Sequence, residues 1–315
     1  MIKSLCFFLL ILTIIVSVFF GASNTHVFSF DINNAIVLNY RLPRVLFAAL
    51  IGGCLGFSGS LYQLILKNPL ADSFTTGASG VAALGAVFSL VLGFNFYVLP
   101  LVSFMCAVLG IAFIYKLSLQ NGYINPITMI LSGIVLNIFA SSLIGLLKYF
   151  FDESLGNIIF FLMGGLHFVS WSQLIFIFLF FLVVFFVQLK DHDSLNILSL
   201  DEATAITTGV NVKVVRLKAF IIATIVISFC VSFTGIIGFV GLIVPHLARD
   251  MFGSNMSNNL IYSTIFGGIL LTISDTISRT ILPSGGELPV GIITSLLGGI
   301  FFFYLLIRKR ATSWF

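Results

Sequence analysis

The sequence predicts an all-α membrane protein that crosses the bilayer about ten times. Apolar residues make up 59% of the 315 residues and charged residues only 8%, which is outside the range of soluble globular proteins. Apolar runs of about 20 residues recur along the chain, separated by short polar breaks. We therefore expect residues 1–315 to form a single transmembrane domain, with its longest polar connection at about residues 190–212.

The predicted spans follow from these runs in order. The first follows Lys3 and covers about residues 5–22; its small-residue end also resembles a secretory cleavage site, but an uncleaved helix is the simpler interpretation. A short apolar piece at 158–166 is predicted to be a partial helix, because it cannot cross. The other spans are predicted at 45–66, 75–94, 96–116, 126–147, from Trp171 onwards, 214–233, 234–250 (short), 260–282 and 290–307.

The second span carries an unusual density of small residues, among them Ser58 and Gly59. Small residues let two helix backbones approach closely, so this span is expected to pack against protein. Asn68 and Pro69 follow it, and proline disfavours helix at the residue before it. The span therefore ends there, and Arg41 and Arg44 mark its start at the water boundary.

The polar connection is predicted to contain one short helix. Ser199 and Glu202 have the spacing of a capping box, and Gly209 is a natural helix stop. Leu200, Ala203 and Ile206 would then share one face, which is typical of a docking element. A solvated connector remains the alternative.

The segment 234–250 is apolar, but Gly235, Gly238 and Gly241 interrupt it before Pro245, His246 and Arg249. Glycines at this spacing favour close backbone contact, so the segment should pack against protein and end at a polar surface. A plain membrane helix is the alternative, because glycine and proline are common in such helices. His246 is interpreted as a hydrogen-bonded turn residue, since no metal-ligand spacing surrounds it.

Basic residues give the orientation. With the N terminus inside, eleven Lys and Arg fall inside and four outside, namely Arg41, Arg44, Lys148 and Arg279, which is a positive-inside bias. Both termini are therefore predicted to be cytoplasmic. Asp275 and Arg279 lie four residues apart on one helix face, so we expect them to pair, or Arg279 to turn outward to a partner protein, or both at once. Glu287 precedes the last helix and is interpreted as structural. The sequence contains no basic run that would suggest nucleic-acid binding.

Five short motifs occur in one order along the chain. They are RLPR at Arg41, SG at Ser58 followed by Gln63 and NPLAD at Asn68, MGG at Met163, GFVGLIVPHLAR at Gly238, and ELPVGIIT at Glu287 with Pro289 and Gly291. Together they resemble the membrane-spanning permease subunits of bacterial ABC importers for iron-siderophores, haem and cobalamin. Ser73, Thr208 and residues 299–301 depart from the family's usual pattern, which leaves the substrate open.

The resemblance implies a permease of the bacterial cytoplasmic membrane that pairs with a second permease copy or a homologue. Two ATPase subunits would dock inside and use ATP and Mg²⁺, and a substrate-binding protein would dock outside. The permease itself would bind no cofactor or metal directly. The ATPase-coupling residues implied are Leu200, Glu202, Ala203, Gly209, Gly241, Pro245, His246 and Arg249. Arg41, Arg44 and Arg279 would face carboxylates of the binding protein.

The sequence fits two other classes of membrane protein less well. The chain has no GxxxxGK[ST] phosphate loop, so a partner would have to hydrolyse the ATP. An ion-coupled secondary transporter would need buried carboxylates or broken half-helices near the membrane midplane, and apart from Asp275, whose neighbour is Arg279, the spans are nearly free of acidic residues. An intramembrane metalloprotease would need a motif such as HExxH, which the sequence lacks.

Overall fold

The computed structural model describes residues 2–20, 36–95, 98–120, 123–152, 155–166, 169–282 and 286–309. Within these ranges the chain is helical, as predicted, apart from a two-residue antiparallel ladder, β1 (Leu119–Gln120) with β2 (Tyr123–Ile124). The described helices are α1 (Ile2–Phe19), α2 (Leu42–Ile65), α3 (Ala78–Val91), α4 (Val98–Ser118), α5 (Pro126–Phe150), α6 (Leu155–Leu162), α7 (Trp171–Leu189), α8 (His192–Leu200), α9 (Glu202–Thr207), α10 (Val212–Thr234), α11 (Val240–Phe252), α12 (Met256–Thr280) and α13 (Val290–Lys309).

Six described helices are long and apolar enough to cross a membrane: the π-helical turn with α2, and α4, α5, α7, α10 and α12. Three shorter apolar helices, α1, α3 and α13, lie where further spans are predicted. The predicted short eighth span is α11, which has 13 residues and so reaches only about 20 Å. It cannot cross alone. The predicted partial helix is α6.

The second span lies at the centre of the bundle. It packs antiparallel to α12: a Cβ atom at Gly52 or Gly56 would collide with the backbone carbonyl of Gly267 or Ser263, respectively. Gly59 meets Gly241 of α11 in the same way. The prediction of a small-residue contact face is confirmed.

The start of α2 differs from the prediction. A π-helical turn, Val37–Arg41, runs directly into it, and the Leu42 N–H donates to the carbonyl of Val37. Pro43 lies in the first α-helical turn. Because proline has no N–H and its ring crowds the carbonyl four residues earlier, a wider turn there avoids the clash. The helix therefore continues upstream of the two arginines instead of starting at them.

The chain breaks between α10 and α11. Gly235 adopts φ +68° and Phe239 φ +67°, a region that L side chains rarely occupy. Gly165 N–H donates to the Thr234 carbonyl at 2.8 Å, and Gly291 N–H to the Gly164 carbonyl at 3.3 Å. The MGG motif, this break and the start of α13 therefore meet backbone to backbone.

Candidate functional site

Polar side chains gather at the two ends of the antiparallel pair α2 and α12. At one end, Arg44 of α2 lies beside Asp275 of α12. At the other, Gln63 near the end of α2 lies close to the start of α12, where both Gln63 and Asn259 line one cavity. Arg44 and Gln63 both lie on α2, and the helix rise between them separates these ends by about 28 Å. We call the first end the ion cluster and the second the coupling end.

The ion cluster consists of Arg44, Asp275, Arg279 and Glu287. The Arg44 Nη1 atom lies 2.7 Å from Glu287 Oε2, and Arg44 Nε donates to Asp275 Oδ1 at 3.0 Å. Arg279 Nε lies 2.9 Å from Asp275 Oδ2. The predicted pairing of Asp275 with Arg279 is confirmed. The two positive and two negative charges balance, which lowers the cost of removing them from water.

Arg279 does not face outward. Its side chain is 3% exposed, and its guanidinium donates to the Phe20 carbonyl at 2.9 Å and to Ser17 Oγ at 3.0 Å. Since a buried guanidinium requires such partners, the outward orientation considered for Arg279 is not the one observed. The residue fastens α1 to α12. Arg44 is 12% exposed, and Arg41 is half-buried in the π-helical turn.

The connection between α7 and α10 folds into two short helices, not one. Asp201, in extended conformation, separates α8 from α9, and its carboxylate accepts from the N–H groups of Ala203 and Thr204. Ser199 lies inside α8, and its hydroxyl donates to the Asn196 carbonyl. The predicted Ser199 cap is therefore wrong: Asp201 is nearer the helix start and is an equally good N-cap. Gly209, at φ +84°, follows the end of α9 as predicted.

Leu200, Ala203 and Ile206 are all exposed, although the break at Asp201 leaves Leu200 on α8 and the other two on α9. Leu200 is 76% exposed and Ile206 57%, so this apolar surface has no cover among the described residues. We call it the α8–α9 face. An uncovered apolar face on a polar connection is typical of a protein contact.

Glu202 ties the α8–α9 face to the bundle. Its carboxylate lies 2.9 Å from Arg216 Nη2, and its second oxygen accepts from Nη1 at 3.4 Å. Lys67 Nζ lies 3.6 Å from the same carboxylate. The Arg216 hydrogen bond, with smaller contributions from the Arg216 and Lys67 charges, holds the pKa of Glu202 below its usual value although partial burial opposes this. The sequence analysis did not single out Arg216 or Lys67 as site residues, because each counted only as a basic residue on the predicted cytoplasmic side.

The segment with Pro245, His246 and Arg249 forms α11. Pro245 and His246 lie inside this helix, so the turn predicted for His246 is wrong. The His246 Nε2 atom lies 3.7 Å from the Asp250 carboxylate. Gly241 contacts Gly59, and Arg249 donates through Nη2 to Gln63 Oε1. Gly241 therefore serves helix packing, whereas Arg249 reaches the coupling end.

The remaining motif residues shape the backbone. Asn68 Oδ1 accepts from Leu70 N–H at 2.9 Å, and with Pro69 it follows the end of α2 as predicted. Ser58 is fully buried. Pro289 is buried just before α13, and a Cβ at Gly291 would collide with the Met163 carbonyl. Among the described residues, no group of three or more His, Cys, Asp or Glu side chains could hold a metal ion.

The comparisons with known proteins point to one family. The model of the FecCD transport family matches residues 8–308. The hemin transport permease HmuU of Yersinia pestis is 35% identical, with 87% of this chain and 84% of the relative covered. The Fe(3+) dicitrate permease FecD of Escherichia coli is 32% identical, with 87% and 86% covered. A structure described as an inward-facing metal-chelate type ABC transporter superposes with a TM-score of 0.88 at 29% identity, covering 96% of this chain and 97% of that one.

Proposed function

The chain belongs to the FecCD transport family of multi-pass membrane permeases, and on that premise we propose that it is the permease subunit of an ATP-driven importer. It pairs with a second permease copy or a homologue, and cargo crosses between the two by alternating access. A separate pair of ATPase subunits hydrolyses ATP with Mg²⁺, so the permease catalyses no reaction. The whole chain acts as one transmembrane domain, and residues 190–212 form its coupling loop.

The α8–α9 face is the observation that carries this proposal. It is apolar and exposed, and the Glu202–Arg216 pair fixes it to α10. A partner that moved this face would therefore move α10, and through the Tyr62–Thr224 hydrogen bond of 2.8 Å it would also move α2. Such a rigid connection suits a surface through which ATPase closure drives helix movement.

We propose that the opposite end docks a substrate-binding protein. Arg41 and Arg44 supply the charge, because arginine forms oriented pairs with carboxylates. Arg44 already contacts Glu287 at 2.7 Å, so an incoming carboxylate would share or replace that contact. Arg279 acts as a positioning residue that holds Asp275 beneath Arg44.

The cargo we propose is an iron-siderophore, or else a chelate of the haem or cobalamin type. The relatives named for hemin and Fe(3+) dicitrate support this class. The positive-inside count supports cytoplasmic termini, and the bacterial relatives support a position in the bacterial cytoplasmic membrane.

The first test is purification in mild detergent from the native membrane, followed by mass spectrometry of the proteins that stay bound. We expect an ATPase with a phosphate loop. A lone protein, or cargo uptake that follows an ion gradient and ignores ATP, would favour a secondary transporter.

The coupling surface is tested by Leu200→Ser with Ile206→Ser in the assembled transporter. Removing this exposed apolar area should weaken ATPase retention while leaving the permease folded. Leu117→Ser is the matched control, since Leu117 is 48% exposed at the same predicted end but on α4. Equal loss in both variants would remove the assignment.

A further inference from the structure

A cavity of about 360 Å³ opens at the coupling end, between the end of α2, the end of α8 and the start of α12. Its described lining contains two basic side chains, Lys67 and Arg249, and no carboxylate. Neutral residues form the rest of the wall, both polar ones such as Ser199 and Asn259 and apolar ones such as Leu64 and Met256. We call it the basic cavity.

Arg249 has only a neutral acceptor there. Gln63 Oε1 accepts from Arg249 Nη2, while Gln63 Nε2 donates to the Leu242 carbonyl at 3.2 Å. No described carboxylate lies within ion-pair distance of Arg249; Asp250, its neighbour in sequence, is directed to His246. Asp250 therefore acts on the half-buried Arg249 guanidinium only from beyond contact distance, whereas each arginine of the ion cluster has a carboxylate in direct contact.

Lys67 lies beside the cavity in a strained conformation. Its backbone adopts φ +47°, which is uncommon outside glycine and is retained where the surroundings impose it. Its side chain is 42% exposed, and its Nζ atom lies 3.6 Å from the Glu202 carboxylate. That carboxylate is closer to Arg216, at 2.9 Å, so Lys67 shares its counter-charge. The second cation of the cavity is therefore also incompletely neutralised.

The cavity adjoins the α8–α9 face. Leu200 lines the cavity and is also the most exposed member of that face, at 76%. A protein that covered the face would therefore extend over the cavity mouth. Two cations at the edge of an apolar contact complement an acidic side chain of the same partner.

We propose that the basic cavity receives an acidic side chain of the ATPase subunit, whose carboxylate pairs with Arg249 and Lys67. This inference rests on the proposed function, since it names the chemistry by which the coupling end recognises its partner. The α8–α9 face supplies contact area, and the ion pair in the basic cavity fixes the position of the ATPase on that face.

A carbodiimide tests the pairing in the purified complex, because it joins an amine and a carboxylate as an amide and takes up the released water as urea. We expect mass spectrometry to find a peptide that links Lys67 to an Asp or Glu of the ATPase. Lys67→Arg should abolish that link yet retain the ATPase, since its guanidinium keeps the charge but is not coupled. A complex that contains the ATPase but links Lys67 only to Glu202, or to nothing, would overturn the inference.

Salt-dependent dissociation of the ATPase gives a second measurement. Arg249→Gln should weaken ATPase retention roughly tenfold or more at fixed salt, and Arg249→Lys should retain much of it. Lys213→Gln, an exposed lysine at the same end, is the matched control and should change little. Equal retention by wild type and Arg249→Gln would refute the pairing, whereas absence of an ATPase from the wild-type complex would instead refute the proposed function.

Discussion

Replacing Gly59 with alanine should separate α2 from α11. A Cβ atom at Gly59 would lie 2.5 Å from the carbonyl carbon and 2.6 Å from the Cα of Gly241, and closer still to the carbonyl oxygen. Carbon atoms in contact prefer about 3.5–4.0 Å, so the two backbones must move apart by about 1 Å. No side chain can yield instead, because the opposing atoms are backbone.

The expected cost can be bracketed. Overpacking a well-packed interior costs about 1–3 kcal/mol, sometimes more, whereas glycine to alanine in a helix gains about 0.5–1 kcal/mol. The contact therefore outweighs the gain, and Gly59→Ala should lower the unfolding free energy by about 1–2 kcal/mol or more. Gly241→Ala should cost less, because its closest atom, the Leu55 carbonyl oxygen, lies at 2.8 Å.

The matched control is Gly145→Ala. Gly145 lies in α5, and an added Cβ there would have no atom within 4 Å. This variant should be neutral or slightly stabilising.

Thermal unfolding in detergent can be followed with a thiol-reactive dye, since Cys54 in α2 and Cys230 in α10 are both buried. The dye should react at a lower temperature in Gly59→Ala than in wild type or Gly145→Ala. A Gly59→Ala midpoint equal to that of Gly145→Ala would refute the reasoning from close backbone contact.

Three further predictions concern the charged groups. Glu202→Gln should weaken the coupling of ATP hydrolysis to uptake, because Arg216 loses its charged partner. The double variant Glu202→Arg with Arg216→Glu should restore part of that coupling, and no restoration would argue against the pair. Asp275→Asn should destabilise the fold by about 3–5 kcal/mol in thermal unfolding, because Arg279 remains buried, whereas Asn at Asp193, a side chain 84% exposed, should have little effect. Because the pKa of Glu202 is lowered, its contribution to stability is present above the ordinary value of 4.5 and should be lost only as pH falls below it; a Glu202-dependent loss of stability between pH 7 and 5 would contradict this.

Much of the architecture can be predicted from local composition. Apolar runs place the helices, because each span must satisfy its backbone within the membrane. Proline and glycine mark the ends of α2 and α9, and the small residues of the second span predict its close contact. Each of these features depends on the residues of one segment alone, so it can be predicted from the sequence.

Pairings between distant segments could not be predicted in this way. Asp201 and Ser199 are both good N-cap residues, and only the folded connection shows that Asp201 caps α9. A capping box does form elsewhere, between Ser170 and Gln173 at the start of α7. Arg216 reaches Glu202 from α10, and Lys67 from the turn that follows α2.

The sequence by itself determined the class of this protein, its helix order and the motifs of its family, because hydropathy and short motifs are local properties. The tertiary structure decided which charged groups have a carboxylate in contact inside the fold and which have none among the described residues. Arg279 pairs with Asp275 and also donates to Ser17 of α1, whereas Arg249 donates to the Gln63 amide oxygen of α2 and has no carboxylate in contact among the described residues. That difference depends on antiparallel packing of helices about 200 residues apart in the chain, so no local pattern contains it.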